Sequence, residues 1–157
     1  MPVRPLFLLI SLLLAPALAA SDLTLVRIYT GWRDAASFKR ISEYFNGREN
    51  TGGEAVLRTH PDQRGGYYFL VRIANPGAPR AVTARLQVIT DAGAKPRAFT
   101  FTPELRTGDT VFHLGLTGPD WPDAKADPVA WKLDLTGPDG TVLASEKSYL
   151  WEKPAAK

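Results

Sequence analysis

The sequence predicts a mainly β fold, an antiparallel β-sandwich of about eight strands with one short helix near residues 35–45. Most of the chain after residue 20 divides into segments of five to nine residues that are rich in β-branched and aromatic side chains. Gly, Pro, Asn or Asp residues bound these segments, as expected for strands that are joined by turns. No long stretch of helical periodicity separates them, which argues against a parallel α/β fold.

Eight segments of the chain are predicted as strands. In most of them apolar residues alternate with polar ones, so one face of each strand is expected to belong to the core. The segments cover residues 23–30, 54–59, 67–74, 82–90, 98–102, 110–116, 129–136 and 141–151. This alternation predicts a set of buried core residues, namely Phe69, Val71, Leu86, Leu133 and Leu135.

One helix is predicted over residues 35–45. Asp34 can accept a backbone hydrogen bond at its first turn, and Asn46-Gly47 can end it in a left-handed conformation. Three apolar side chains fall on one face of this helix at helical spacing, so the face is expected to pack into the core. The three residues are Phe38, Ile41 and Phe45.

The first twenty residues have the three parts of a secretory signal peptide. Arg4 and the amino terminus are positive, residues 6–14 are almost wholly apolar, and Ala17-Leu18-Ala19 is a cleavage signal. The apolar run is shorter than the about 20 residues that cross a bilayer. The expected organisation is a leader over residues 1–20, a single β-sandwich domain over residues 21–152 and a flexible tail over residues 153–157. The exported chain is expected in the periplasm or the medium, without any segment inserted in a membrane.

Composition and charge exclude several classes of function. The chain contains no cysteine, so thiol catalysis and zinc–thiolate sites are excluded. Its net charge is +3, and the 13 basic and 8 acidic residues from Ser21 to Arg106 give that part +5. A nucleic-acid-binding protein usually concentrates its basic residues more strongly on one face. We therefore expect no nucleic-acid partner.

No arrangement of residues in the sequence predicts catalysis or a bound metal. His60 and His113 have no acid or second histidine at ligand spacing, so both are expected to face solvent or to be satisfied internally. Asp120, Asp123 and Asp127 lie in one loop, but their spacing does not match an EF-hand. The sequence therefore predicts no metal, no cofactor and no enzymatic activity.

A sheet surface rich in tyrosine and arginine is the candidate partner-binding face. It follows from placing the strands predicted over residues 54–59, 67–74 and 82–90 in one sheet with their apolar faces together. Tyrosine and arginine are enriched at protein interfaces, and arginine also suits the carboxylate or sulfate groups of anionic glycans. The predicted face consists of Arg58, Tyr68, Leu70, Arg72 and Arg85.

We expect a non-catalytic exported binding module with a protein as its partner, and the sequence leaves three alternatives open. The arginine stems of the face can simply cover apolar sheet residues while their charged ends reach water. A carbohydrate-binding module would use exposed tryptophan or tyrosine side chains on a glycan. A hydrolase would need an acid pair that the spacing of the acids does not reveal. The sequence does not determine the oligomeric state.

The pattern from Leu23 to Trp151 resembles the immunoglobulin-like and fibronectin-III-like domains of bacterial exported proteins. Its most typical stretch is a closing hairpin, in which residues 131–135 and 141–143 flank the turn Gly137-Pro138-Asp139-Gly140. The resemblance implies an immunoglobulin-like sandwich. Because such folds host many unrelated functions, it implies no activity. The cysteine pair of antibody domains is absent, so no antibody-type domain is implied.

The leader predicts that the exported protein begins at Ala20 or Ser21, because signal peptides are cleaved next to a pair of small residues such as those of the A-x-A signal. Intact-mass spectrometry of the protein recovered from the exported fraction measures this terminus. An exported product that retains Met1 would contradict the prediction.

Overall fold

Ten strands, one α-helix and three 3-10 turns make up the part of the chain that the computed structural model describes, residues 23–152. The predicted leader and tail lie outside the described residues. The helix α1 spans Ile41–Asn46, and the 3-10 turns span Ala36–Phe38, Gly118–Asp120 and Tyr149–Glu152. The strands are β1 (Thr24–Arg33), β2 (Ala55–Arg58), β3 (Gly66–Asn75), β4 (Arg80–Ala81), β5 (Thr83–Thr90), β6 (Gly93–Phe101), β7 (Glu104–Leu105), β8 (Gly108–Thr117), β9 (Ala130–Thr136) and β10 (Val142–Lys147).

Eight of these strands form two four-stranded sheets, with the orders β1-β3-β8-β2 and β10-β9-β5-β6. The short strands β4 and β7 pair separately. The eight sheet strands coincide in chain order with the eight predicted ones, and the mainly β prediction is confirmed. The last strand is shorter than predicted, because the chain turns at Tyr149–Glu152 instead of remaining extended. Within residues 23–152, no helix is long and apolar enough to cross a membrane.

One hydrophobic core contains side chains from both sheets. Phe69 of β3 packs edge-on against Trp131 of β9 with ring centroids 5.7 Å apart, which joins the two sheets. All five side chains that the alternation predicted as buried have no exposed surface, namely Phe69, Val71, Leu86, Leu133 and Leu135. Alternation identifies them because successive residues of a strand point to opposite faces of the sheet.

The position of β2 differs from the predicted, wholly antiparallel arrangement. β2 pairs in parallel with β8, and β8 lies between β2 and β3. Residues 59–65 connect β2 to β3. This connection is long enough to cross over β8, since neighbouring strands of a sheet lie about 4.8 Å apart. Leu57 points inward, because it faces Leu114, which in turn faces the buried Phe69 in one row across the sheet.

The predicted helix over residues 35–45 is divided, and its predicted packing is wrong. After the turn at Ala36–Phe38 the backbone is extended at residues 39–40, and only then does α1 begin. Because this break reorients α1, its polar side faces the protein. Ile41 and Phe45 are consequently 79% and 85% exposed instead of buried in the core.

Both ends of the helical segment nevertheless follow the predicted local chemistry. Asp34 Oδ1 accepts the backbone N–H of Ser37 at 2.7 Å, as a capping side chain does. Gly47 follows α1 with a φ of +65°, a conformation that costs glycine no Cβ strain. The N–H of Gly47 donates to the carbonyl of Glu43 and closes the last turn.

Phe69→Ala should lower the free energy of unfolding by about 3 to 5 kcal/mol, because it removes a fully buried ring and leaves a cavity between the sheets. Urea titration measures the change. Phe45→Ala is the matched control, since it removes the same atoms from an exposed ring and should change stability by less than about 0.5 kcal/mol. A urea midpoint of Phe69→Ala equal to that of the wild type would contradict this packing.

Candidate functional site

The outer face of the first sheet, the side of β1, β3, β8 and β2 that points away from the core, carries four of the five residues of the predicted face. These four are Arg58 on β2 and Tyr68, Leu70 and Arg72 on β3. Residues of the neighbouring strands lie beside them in rows that run across the sheet. Leu70 faces Tyr29 of β1 on one side and His113 of β8 on the other.

Arg85 does not belong to the outer face, and its assignment to the predicted site is wrong. It lies on β5 in the second sheet, where its Cα partners are Thr100 and Asp134. Its side chain is exposed on the far side of the core. The inner faces of both sheets meet the same core, so alternation alone fits β5 equally well to either sheet.

Residues 34–54, here called the covering segment, lie across part of the outer face. Phe38 packs on Tyr68 with ring centroids 4.7 Å apart, and Tyr68 keeps only 2% of its surface exposed. Tyr68 can lie over β8 because Gly115 has no side chain; a Cβ there would approach the Tyr68 ring to 2.4 Å. Tyr68 is therefore a buried anchor of the covering segment and is not exposed to a partner.

Arg58 attaches the covering segment to the sheet through a bidentate ion pair. Its Nη1 and Nη2 donate to the two carboxylate oxygens of Glu49 at 2.9 and 2.6 Å, and its Nε donates to the Tyr68 hydroxyl at 2.7 Å. The Arg58 guanidinium also lies over the Phe38 ring, 4.9 Å from its centroid. The hydrogen bonds from Arg58 lower the pKa of Glu49, whereas burial raises the pKa of Tyr68.

A second ion pair attaches α1 itself. Arg64 Nη1 donates to Glu43 Oε2 at 2.7 Å, and this hydrogen bond lowers the pKa of Glu43. The other carboxylate oxygen of Glu43 accepts the backbone N–H of Asn50 at 3.3 Å. The Tyr68 hydroxyl donates to the Arg64 carbonyl at 2.6 Å, which links this ion pair to the first one.

Beside the covering segment the outer face is open and forms a cleft of about 450 Å³. A volume of this order accommodates a small ligand or a side chain of a partner. Its apolar and aromatic lining comes from β1, β3 and β8 and consists of Val26, Tyr29, Leu70 and Val111. Its ionisable lining consists of Arg27, Arg33, Glu54, Arg72 and His113.

The three arginines give the cleft an excess of positive charge. Within residues 23–152, no carboxylate forms an ion pair with Arg27, Arg33 or Arg72. Arg27 donates to the hydroxyl of Tyr29, and Arg33 lies over the ring of Phe38. Arg27 and Arg33 are not among the residues predicted for this face, although their positions in β1 have the parity of an outward face.

The one acid of the cleft, Glu54, is hydrogen-bonded to His113. Glu54 Oε2 lies 2.7 Å from His113 Nε2, and the His113 side chain is 5% exposed. Because an ionised carboxylate only accepts hydrogen bonds, Nε2 of His113 donates the proton of this hydrogen bond to Glu54. Among the described residues Nδ1 has no hydrogen-bond partner. The two residues are 59 positions apart and meet through the parallel β2–β8 pairing, which no local spacing could reveal.

The acids of the loop that the sequence analysis considered as a calcium site contact different partners. Asp120 pairs with His60 at 3.1 Å and with Arg97 at 2.9 Å, whereas Asp123 accepts the backbone N–H of Lys125 at 2.8 Å. The pairing of His60 with Asp120 was not predicted, because the two residues are far apart in the sequence. Among residues 23–152, no group of three or more His, Cys, Asp or Glu side chains is arranged to hold a metal ion.

No protein-family model, curated protein or solved structure matches this chain. The outer face can therefore be interpreted only from the positions and contacts of its own residues.

Glu49→Gln should lower the free energy of unfolding at pH 7 by about 1.5 to 3 kcal/mol, because it removes a charge-assisted hydrogen-bonded pair. The lowered pKa of Glu49 sets the pH dependence. The stabilisation is present above the ordinary carboxyl pKa of 4.5 and is lost as the pH falls through the lowered native value. The difference between wild type and variant should therefore shrink in acid.

Urea titrations of both proteins between pH 7 and pH 2 measure this difference. Glu146→Gln on β10, whose side chain is exposed, is the control and should match the wild type within about 0.5 kcal/mol. A difference between Glu49→Gln and wild type that stays constant down to pH 2 would contradict the assignment of the ion pair.

Proposed function

We propose that this protein is a non-catalytic binding module that holds an acidic segment of a protein partner in the cleft of its outer face. The observation that carries the proposal is that Arg27, Arg33 and Arg72 surround one cleft and form no ion pair with a carboxylate of residues 23–152. Among the described residues that line the cleft Glu54 is the one acid, so the three arginines leave a net charge of +2 when His113 is neutral. A partner carboxylate would neutralise this charge.

Arginine is well suited to this role. Its planar guanidinium presents parallel N–H donors that match the two oxygens of a carboxylate. A half-enclosed cleft screens charges less than open water does, so each such pair contributes more there than on a flat surface. Arg72 is exposed on β3, an inner strand of the sheet, and within residues 23–152 it forms no hydrogen bond or ion pair that binding a ligand would break.

The composition of the cleft favours a protein partner over a glycan. Leu70 and Val111 supply an apolar centre, and Tyr29 stands 55% exposed beside them. An apolar centre with tyrosine and arginine around it is typical of protein interfaces. Trp32, Trp121 and Trp131 pack against the core instead of forming an exposed platform for sugar rings.

The pair of Glu54 and His113 has a supporting role in this proposal. A hydrolase would use His113 to activate a hydroxyl or a water molecule. Nε2 of His113 is hydrogen-bonded to Glu54, and Nδ1 is buried, so neither nitrogen is presented to a substrate. We propose that the pair holds β2 and β8 in register at the edge of the cleft.

We further propose that the fold is a variant of the immunoglobulin-like and fibronectin-III-like sandwich. If β1, β3, β5, β6, β8, β9 and β10 take the letters A, B, C, C′, E, F and G, the sheets read A-B-E and G-F-C-C′. β2 is then an addition within the A–B connection that occupies the sheet edge beside E. The leader predicted over residues 1–20 supports a location outside the cytoplasm for this module.

Arg72→Ala should weaken binding of an acidic peptide about tenfold, because it removes one of three cations from the cleft. The probe is a fluorescent peptide of alternating Glu and Leu residues, and its Gln–Leu counterpart measures the contribution of charge. Fluorescence anisotropy gives both dissociation constants. Binding should weaken as salt rises, since exposed charges are screened over about 8 to 10 Å near physiological ionic strength.

Arg85→Ala is the matched control, since it removes the same exposed side chain from the central region of the opposite sheet. It should bind the acidic peptide as the wild type does. Equal loss of binding in both variants would show non-specific charge attraction and overturn the site. Binding of a sulfated oligosaccharide but not of the peptide would favour the glycan alternative.

A further inference from the structure

Helix α1 is amphipathic in the reverse of the usual sense. Its polar residues point toward the protein, where Ser42 accepts a hydrogen bond from Asn50 and Glu43 pairs with Arg64. Its apolar residues point to solvent and form what is here called the α1 patch. The patch consists of Ile41, Tyr44 and Phe45, which are 79%, 84% and 85% exposed.

The α1 patch is held in place rather than frayed. Gly47 closes the last turn, and Glu43 accepts the backbone N–H groups of Arg40 and Asn50 in addition to its ion pair. These contacts all lie on the polar side, so the apolar side is presented as a fixed ridge. Contiguous exposed apolar groups are costly in water and mark interaction surfaces.

Exposed charges next to the α1 patch are predominantly positive. Lys39 and Arg40 precede the helix, Arg48 follows it, and all three are exposed. The acids of the neighbouring sequence are engaged, since Glu43 pairs with Arg64 and Glu49 pairs with Arg58. The covering segment therefore offers an apolar ridge flanked at both ends by cations.

We infer that the α1 patch docks this protein on an anionic lipid surface. Aromatic and aliphatic side chains of an interfacial helix enter the boundary between headgroups and acyl chains, and flanking Lys and Arg attract the phosphates. Such docking lies on the membrane and inserts no spanning segment. It uses residues outside the arginine-lined cleft, so it stands independently of the proposed binding function.

Charge and size favour a lipid surface over another protein. A second copy packed on the same patch about a two-fold axis would bring Lys39, Arg40 and Arg48 toward their own counterparts. Three side chains on a convex ridge are also far less than the about 800 Å² per partner of a stable protein interface. A fluid bilayer needs neither a matching shape nor a fixed register.

The chain contains no cysteine, so a single fluorescent label can report contact at one chosen position. Tyr44→Cys and Tyr149→Cys are each labelled with a polarity-sensitive dye. Tyr149 is the matched control because it is an equally exposed tyrosine, 89%, in the turn after β10. The full chain is mixed with vesicles of phosphatidylglycerol and phosphatidylcholine, or of phosphatidylcholine alone.

The dye at position 44 should move to shorter emission wavelength with anionic vesicles, and the dye at position 149 should not. Residues 1–20 are the same in both proteins, so any lipid binding by them cannot produce the difference. The fraction of unlabelled protein that sediments with anionic vesicles should fall with Phe45→Ser. This decrease should be about ten times the decrease that Tyr149→Ser causes. Lys39→Gln combined with Arg48→Gln should weaken sedimentation at low salt.

Three outcomes would overturn the inference. Equal spectral shifts at positions 44 and 149 would show that the patch is not the point of contact. Equal sedimentation of Phe45→Ser and Tyr149→Ser would show that the apolar ridge does not enter the lipid. A concentration-dependent dimer that Phe45→Ser abolishes, without lipid binding by the wild type, would assign the patch to a second copy of the chain.

Discussion

The bidentate ion pair between Arg58 and Glu49 is the interaction on which the outer face depends. It holds residues 34–54 against the first sheet and so converts an open sheet surface into a covered part and a cleft. A largely buried guanidinium is tolerated only when a carboxylate and further acceptors satisfy it. Glu49 and the Tyr68 hydroxyl together satisfy the Arg58 guanidinium, and Phe38 covers the ring of Tyr68. The covering segment is therefore part of the site.

The central strand β3 joins the stability of the fold to its chemistry. Its inward residues, including Phe69 and Val71, are fully buried between the sheets, whereas the alternate ones form the middle of the outer face. Along that face Tyr68 is used to anchor the covering segment, and Arg72 is left exposed beside the cleft. A single strand thus contributes to the core, to the attachment of the covering segment and, through Arg72, to the charge of the proposed site. Because Arg72 is exposed on the outer face, a change at Arg72 is expected to leave the core intact.

Features that depend on near neighbours in sequence were predictable. The period of two along each strand identified the eight sheet strands and the five buried side chains, because side-chain direction alternates in any extended segment. Capping by Asp34 and termination at Gly47 were predictable because both depend only on residues within a few positions in the chain. The prediction for Ile41 and Phe45 was wrong because helical spacing shows only that apolar residues share a face. The break at residues 39–40 and the ion pair between Glu43 and Arg64, which are 21 residues apart, place the polar side of α1 against the protein and leave that apolar face outside.

The sequence alone determined which segments are strands, which side of each strand is apolar, and where the helical segment begins and ends. Tertiary structure decided which strands became neighbours. It placed β8 between β2 and β3, brought Glu54 to His113, and put Arg85 on the opposite sheet from Arg72. The physical reason is that both sheets bury the same kind of apolar face in one core. Alternation therefore specifies which side of a strand faces the core. Only long-range packing and ion pairing specify which of the two sheets the strand joins.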